Sequence, residues 1–206
     1  MKIICIGKNY REHIKEFDGG AVPEEPIFFM KPDSALLRNN EPFYVPDFSE
    51  RVDYETEVVV RICKVGKCID RKFAHRYYDA VGLGIDFTAR DLQRKAMAAG
   101  LPWFAAKGFD RAATISTEFL PLAELGKSAD DLHFEMSLNG EVRQRGYTGD
   151  MIFSVEDIIC YVSKFMTLKI GDLIYTGTPS GVGSVTLGDV LRASLEGREL
   201  LNFDIK

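Results

Sequence analysis

Residues 52–62 read Val-Asp-Tyr-Glu-Thr-Glu-Val-Val-Val-Arg-Ile, a run dominated by β-branched and aromatic residues. Such residues are typical of strands, so the run predicts a β-strand. Two of its acids, Glu55 and Glu57, are two positions apart. Successive side chains of a strand point to opposite faces, so these two carboxylates should leave the same face.

A third acid follows the next apolar run. Asp86 comes directly after residues 80–85 and precedes a helix start. Neighbouring carboxylates repel each other, and proteins tolerate this mainly where a cation lies between them. Oxygen ligands suit Mg²⁺ or Mn²⁺ better than zinc, which favours cysteine and histidine. We therefore predict a metal site formed by Glu55, Glu57 and Asp86. The alternative is an exposed acidic strand face.

Outward from this stretch, most of the chain predicts short strands. Asn139-Gly140 between two strand-like runs indicates a hairpin, and the residues from 172 onward alternate turns with strand-like runs. Residues 19–50 are rich in Gly, Pro, Asn and Asp, which predicts irregular structure with short strands and a mobile flap. The pattern predicts a mostly β fold of the α+β type, a curled mixed sheet or distorted barrel with helices packed outside.

Capping signals predict three main helices. They begin and end as follows: Asn9 to Gly19-Gly20, Thr88 to about Ala99, and Ser154 to about Met166.

Composition limits the class of protein. The chain has 206 residues, 46% of them hydrophobic, which is enough for one domain, residues 1–206, with residues 1–50 as a partly mobile lid. The net charge is −5 and the basic residues are scattered, which argues against nucleic-acid binding. No apolar stretch approaches the roughly 18 residues of a membrane span.

The four cysteines, Cys5, Cys63, Cys68 and Cys160, each lie in or beside an apolar stretch. We expect buried reduced thiols and a cytoplasmic protein.

Several other residues could carry chemistry near the acids. Arg90 and Gln93 share one face of the helix after Asp86 and could bind an anionic, oxygen-rich ligand such as a keto acid; the alternative is a solvent-facing pair. Lys107 stands among apolar and small residues, so it either reaches to water or is buried beside an acid.

His13 and Glu16 are three residues apart on the first helix, where the carboxylate could orient the imidazole as a general base. Such a spacing also occurs in ordinary surface pairs. The loop Thr176-Gly-Thr-Pro-Ser-Gly-Val-Gly183 lacks the ending of a nucleotide-binding loop, and its residues favour a plain tight turn. Its backbone N–H groups could also bind a carboxylate.

Taken together, the motifs resemble those of the fumarylacetoacetate hydrolase family. The resemblance covers essentially the whole chain, and it rests on Gly7-Lys-Asn-Tyr with His13 and Glu16, Tyr54-Glu-x-Glu57, Asp86-x-Thr-Ala-Arg-Asp-x-Gln93, Leu101-Pro-Trp, Ala106-Lys-Gly-Phe-Asp110 and the loop at 176–183. The departures are Lys8 in place of a common arginine, Phe87 in place of a common methionine, and a different segment after Asp110. They bear on substrate choice and not on the metal centre.

The resemblance implies a curled β-roll, a homodimer, and Mg²⁺ (or Mn²⁺ or Ca²⁺) held by Glu55, Glu57 and Asp86. It implies catalytic roles for His13, Glu16 and Lys107 and substrate contacts for Lys8, Arg90, Gln93 and Thr178. The helix of His13 should act as a lid that is displaced without ligand and closes over a bound keto acid.

The implied activity is metal-dependent hydrolysis of a carbon–carbon bond in acylpyruvate-like 3-oxo acids, through a metal-stabilised enolate and a water activated by His13 and Glu16. The alternative is an oxaloacetate decarboxylase or keto–enol tautomerase that uses the same enolate. A weaker alternative, from a different class, is a non-catalytic ligand-binding protein stabilised by a metal.

Overall fold

The largest sheet of the protein is built around the run that carries Glu57. The computed structural model describes residues 1–17 and 20–206. The strands are β1 Ile3–Gly7, β2 Ile27–Lys31, β3 Leu36–Leu37, β4 Val52–Tyr54, β5 Thr56–Ile62, β6 Tyr78–Asp86, β7 Thr88–Ala89, β8 Ala113–Ile115, β9 Leu120–Pro121, β10 His133–Leu138, β11 Glu141–Tyr147, β12 Leu173–Tyr175, β13 Gly183–Ser184, β14 Val190–Leu195 and β15 Arg198–Asp204. The helices are α1 Arg11–Phe17, α2 Arg71–Ala74, α3 Arg90–Ala98, α4 Phe104–Lys107, α5 Leu122–Leu125 and α6 Val155–Phe165.

Three sheets make up the β structure. The large sheet has the order β2-β1-β12-β5-β6-β8-β3, with β9 paired to β6; β1–β12 and β3–β8 are parallel and the other pairs antiparallel. A second sheet has the order β11-β10-β14-β15, and a third, small sheet the order β13-β4-β7. The prediction of a mostly β fold with a curled mixed sheet and peripheral helices is confirmed.

The hydrophobic core lies between the large sheet and the four-stranded sheet. Val58 and Ile85 from the large sheet belong to the same buried cluster as Met136 and Leu191 from the four-stranded sheet. Burial of both inner faces therefore fixes the strands that carry the acids.

The run at residues 52–62 is two strands and not one. Glu55 lies at the break between β4, which pairs with β13 and β7, and β5, which pairs with β12 and β6. The backbone N–H of Asp86 donates to the carbonyl of Glu55 at 2.8 Å, in line with the pairing of Thr56 and Ile85. The strand register thus brings Glu55 next to Asp86.

Two predicted helix caps are wrong. Asn9 donates from Nδ2 to the carbonyls of Phe153 and Thr176 and accepts from the N–H of Phe153, so its side chain ties α1 to two other segments. Thr88 lies in β7, and α3 has no side-chain cap. Long-range bonds take the amide of Asn9, whereas Thr88 is placed in a strand by its backbone pairing and its hydroxyl donates to the carbonyl of Asp86.

The other local predictions are mostly right. The hairpin at Asn139-Gly140 joins β10 to β11, and Ser154 and Asp157 form a reciprocal capping box at the start of α6. Helix α1 ends at Phe17, and the Gly19 expected to end it lies outside the described residues.

The four cysteines are free, as predicted, but only some are buried. Cys5 is buried, Cys63 and Cys160 are half-buried, and Cys68 is exposed because it lies in a turn before α2.

Within the described part of the chain, none of the helices combines the length and the apolar character needed to cross a membrane. The single domain with a partly mobile lid stays a prediction.

Gly84 in β6 tests how tightly the strands pack behind the acids. A Cβ at this position would lie 2.4 Å from Cε1 of Tyr175 and 2.6 Å from the carbonyl oxygen of Thr114. We expect Gly84→Ala to lower the free energy of unfolding by about 1–3 kcal/mol, the usual cost of overpacking, in urea denaturation. Gly7→Ala is the control, because its Cβ would meet only ordinary contacts at 3.8 Å or more. Equal stability of the two variants would contradict the packing described here.

Candidate metal centre

The three acids predicted from the sequence converge at one point. Carboxylate oxygens of Glu55, Glu57 and Asp86 lie within 4.8 Å of one another. Their residues are 6%, 1% and 1% exposed, respectively. The alternative of an exposed acidic face is therefore wrong, and the residues form a candidate metal centre.

Each carboxylate is held by a donor from a different element. Glu55 Oε1 accepts from Arg90 Nη2 at 2.6 Å, and Glu57 Oε2 accepts from the N–H of Gly177 at 2.7 Å. Asp86 Oδ1 is ion-paired with Lys31 Nζ at 2.5 Å. Arg90, Gly177 and Lys31 thus each hold one oxygen of a different acid.

Lys107 lies at the centre of the cluster. Its Nζ donates to Glu55 Oε2 at 2.7 Å and to Asp86 Oδ2 at 2.8 Å. Burial alone would lower the pKa of this lysine, but Asp86 and Glu55 outweigh burial and raise the pKa, so the ammonium is charged at neutral pH. Of the two sequence-based possibilities for Lys107, burial beside an acid is therefore correct.

The carboxylates differ in how well their charge is balanced. Burial raises the pKa of Glu57 well above its usual value, and the charges of Asp86 and Glu55 raise it further. Burial would also raise the pKa of Glu55, but Lys107 and Arg90 lower it below the usual range. A divalent cation would stabilise the charged form of Glu57, and three buried carboxylates are the donor set that Mg²⁺ and Mn²⁺ prefer. The residues therefore fit a metal of this class.

Arg90 and Gln93 both lie at the site, on the first turn of α3. Arg90 is buried, and it donates from Nε to Asp53 Oδ2 at 2.7 Å and from Nη1 to Gln93 Oε1 at 2.6 Å, in addition to its bond to Glu55. These contacts make Arg90 a support for Glu55. The predicted substrate contacts of Arg90 and Gln93 stay predictions.

Helix α1 covers the site from the other side. His13 faces the same cavity as the acids. Burial lowers its pKa, Glu55 acts in the opposite direction, and Arg90 and Lys107 lower it further, so the imidazole is mostly neutral at pH 7. Glu16 Oε2 accepts from the N–H of Gly181 at 2.9 Å, which joins α1 to the glycine-rich loop. Orientation of His13 by Glu16, and opening of the lid, stay predictions.

The glycine-rich loop is part of the site and not a plain turn. Gly177, with φ of 103°, holds Glu57 through its N–H, and Thr178 faces the cavity. The hydroxyl of Thr178 accepts from Gln144 Nε2 at 2.8 Å, which links the loop to β11. The predicted substrate contacts of Thr178 and Lys8 stay predictions, although both residues line the cavity.

Sequence reasoning missed three supporting residues. Lys31 is fully buried and donates to the carbonyls of Phe87 and Ala112 as well as pairing with Asp86. Asp53 holds Arg90, and Gly177 holds Glu57. The sequence does contain an indication for Lys31. It is a lone lysine in the apolar run at residues 26–32, and such a lysine requires an acid partner if it is buried.

Comparison with known proteins identifies the family of the chain. A family model described as fumarylacetoacetate (FAA) hydrolase, C-terminal, matches residues 2–204. The chain belongs to the FAA hydrolase family. The resemblance noted in the sequence is therefore confirmed.

Three similar proteins illustrate the activities found among relatives. The chain is 41% identical to oxaloacetate tautomerase YcgM of Escherichia coli (strain K12), over 97% of this chain and 90% of that protein. It is 41% identical to the mitochondrial oxaloacetate decarboxylase of Dictyostelium discoideum, over 99% and 93% of the two chains. The crystal structure of fumarylpyruvate hydrolase from Pseudomonas aeruginosa with Mn²⁺ and pyruvate has a TM-score of 0.92 and 32% identity, covering 100% of this chain and 89% of that one.

Lys31 offers a test of how the buried charges are balanced. Lys31→Met removes the ion pair to Asp86 and the donors to two carbonyls, so we expect the free energy of unfolding to fall by about 3–5 kcal/mol in urea denaturation. Lys95→Met, on the exposed face of α3, should have little effect. Adding Asp86→Asn to Lys31→Met should recover part of the loss, because it removes the unpaired charge. If the two lysine variants were equally stable, Lys31 would not balance Asp86.

Proposed function

We propose that this member of the FAA hydrolase family is a metal-dependent enzyme that moves a proton on a small 2-oxo acid through its enol form, with oxaloacetate keto–enol tautomerisation as its main reaction. One observation carries the proposal: three buried carboxylates face the same cavity as a charged lysine and a mostly neutral histidine. The names of the similar tautomerase and decarboxylase support oxaloacetate as the substrate. Hydrolysis, which the sequence favours first, becomes the second candidate.

Glu55, Glu57 and Asp86 would hold the cation. Mg²⁺ or Mn²⁺ suits a set of three carboxylate ligands whose remaining positions are taken by water or substrate. The cation, when bound, supplies a Lewis acid that stabilises negative charge on the oxygens of a 2-oxo acid.

The chain's own residues would provide the proton transfer. A neutral imidazole at His13 can take a proton from C3 of oxaloacetate, and the same proton can return to the oxygen on C2, so that nothing is gained or lost overall. The Lys107 ammonium, close to the acids, would stabilise the negative charge that develops on that oxygen. Helix α1 would exclude bulk water from the reaction.

The second candidate is hydrolysis of acylpyruvates. Here His13 would take a proton from water, and the oxygen of that water would attack the acyl carbonyl. The carbon–carbon bond to the pyruvate unit would break with the electron pair going to the pyruvate carbon, which would then take the proton from His13 to give pyruvate and the free carboxylic acid. The position of His13 at the cavity and the similarity to fumarylpyruvate hydrolase favour this candidate. Loss of CO₂ from oxaloacetate would also place negative charge on the oxygen at C2, and the same groups would stabilise it.

One set of assays separates these functions. The purified protein is tested with Mg²⁺ and with EDTA for oxaloacetate tautomerisation, oxaloacetate decarboxylation and acetylpyruvate hydrolysis. We expect metal-dependent tautomerisation to be fastest. Fastest hydrolysis would support the second candidate, and no turnover in any assay would support the non-catalytic ligand-binding alternative.

Glu57 tests the metal centre without relying on turnover. Glu57→Gln keeps an oxygen for the N–H of Gly177 but removes one of three mutually repelling charges. We expect Mn²⁺ affinity, measured by calorimetry, to fall more than about 100-fold, beyond the usual effect of a supporting residue. The free energy of unfolding of the metal-free Glu57→Gln variant should not fall below that of the metal-free wild type. Glu156→Gln on α6 is the control, and unchanged Mn²⁺ affinity in Glu57→Gln would exclude Glu57 as a ligand.

His13 tests the proton-transfer role. His13→Ala should lower kcat by about 10²–10⁴-fold with Mn²⁺ affinity nearly unchanged, and Glu16→Gln should lose less. A base must be neutral to accept a proton, so its lowered pKa should place the acid limb of the wild-type rate profile below pH 6.5, the usual value for histidine. A wild-type rate in His13→Ala would remove the histidine from the mechanism and leave a tautomerase that relies on the metal and Lys107.

The homodimer and the cytoplasmic location predicted from the sequence stay predictions. A light-scattering measurement at micromolar concentration would test the dimer.

A further inference from the structure

The cavity at the acids is small. Its volume is about 40 Å³, below the roughly 300–1,000 Å³ of typical small-molecule sites. A substrate longer than a simple 2-oxo acid would therefore need space beyond this cavity.

One boundary separates the cavity from a neighbouring groove. The groove has a volume of about 390 Å³, which lies within the range of small-molecule sites. Phe29, Trp103 and Lys107 line both spaces. The remaining groove residues are apolar and come from β2 and from the segment before and at the start of α4: Ile27, Phe28, Met30, Leu101, Pro102 and Phe104.

Trp103 and Phe29 form the wall between the two spaces. Their rings meet edge to face, with centroids 6.0 Å apart and an interplanar angle of 66°. Cζ3 of Trp103 lies 3.8 Å from the position of a Cβ at Gly7, so the indole is in van der Waals range of β1 at that residue. The carbonyl of Trp103 accepts from the N–H groups of Ala106 and Lys107, so its backbone is fixed to α4 and the wall can move mainly by rotation of the side chain.

The chemistry of the groove favours an apolar occupant. Lys107 is the one charged residue among the described residues that line it, and its Nζ is engaged by Glu55 and Asp86. A terminal carboxylate placed in the groove would lose water without gaining a counter-charge, whereas an alkyl chain would gain from burial.

We propose that the groove is a subsite for the apolar acyl chain of a 2,4-dioxo acid, and that Trp103 is the side chain that determines how long a chain the enzyme accepts. The inference rests on the second candidate function, acylpyruvate hydrolysis, and names its substrate class. The 2-oxo acid end binds at the acids, and the chain passes the Trp103–Phe29 wall into the groove. Oxaloacetate, which has no such chain, remains in the cavity.

The test measures binding and not turnover, so that it can fail separately from the proposed function. Calorimetry with the Mn²⁺-loaded protein compares 2-oxobutyrate with 2-oxooctanoate, which share the metal-binding end and cannot be hydrolysed at a 4-oxo group. Each buried methylene should improve affinity up to about fourfold. We expect 2-oxooctanoate to bind at least about tenfold more tightly in the wild type, and Trp103→Ala to increase this ratio.

Leu101→Asp is the sharpest variant, because Leu101 lines the groove, does not line the cavity and is 60% exposed. It should reduce the ratio of 2-oxooctanoate affinity to 2-oxobutyrate affinity to about one and leave 2-oxobutyrate affinity unchanged. Leu187→Asp is the control, because Leu187 is 79% exposed and does not line the groove. It should keep the wild-type ratio of 2-oxooctanoate affinity to 2-oxobutyrate affinity. A ratio near one in the wild type, or a ratio that Leu101→Asp does not change, would overturn the proposal. If Leu101→Asp instead converted a dimer to monomers and kept the ratio, the groove would be an interface between copies of the chain.

Discussion

The pairing of Lys107 with Glu55 and Asp86 is the interaction on which the rest of the site depends. Three carboxylates within 4.8 Å of one another cannot be buried unless positive charge lies among them. Lys107 supplies that charge at the centre, while Lys31 and Arg90 supply it at the outer oxygens. The strands, α3 and α4 are all needed to bring these groups together, so the fold is organised around a charge balance as much as around its apolar core.

This arrangement separates the residues that hold the acids from those that can act on a ligand. Lys31, Asp53 and Gly177 contact the acids or Arg90, and none of the three is among the described residues that line the cavity. His13 reaches the cavity from α1, and Glu16 joins that helix to Gly181.

The local sequence pattern predicted most elements because their causes are local. The hairpin at Asn139-Gly140 depends on residues that adopt positive φ, and the start of α6 depends on Ser154 and Asp157, three residues apart. The same rules failed at Asn9 and Thr88. Asn9 instead bonds to residues 153 and 176, and Thr88 pairs with Asp53 in a strand. The Asn9 amide and the Thr88 backbone are paired with segments distant in the chain, which no local pattern can reveal.

For the site, the sequence by itself determined which acids would meet, because two carboxylates in a strand-like run and a third after the next run imply a shared cation. It also indicated His13, Lys107 and the mostly β class. Only the tertiary structure decided that Glu55 lies at a break between strands, that Lys31 and Gly177 hold the acids, and that Trp103 separates the cavity from an apolar groove. The physical reason is that periodicity and capping act over a few residues, whereas charge pairing and cavity shape depend on segments brought together by strand register and burial.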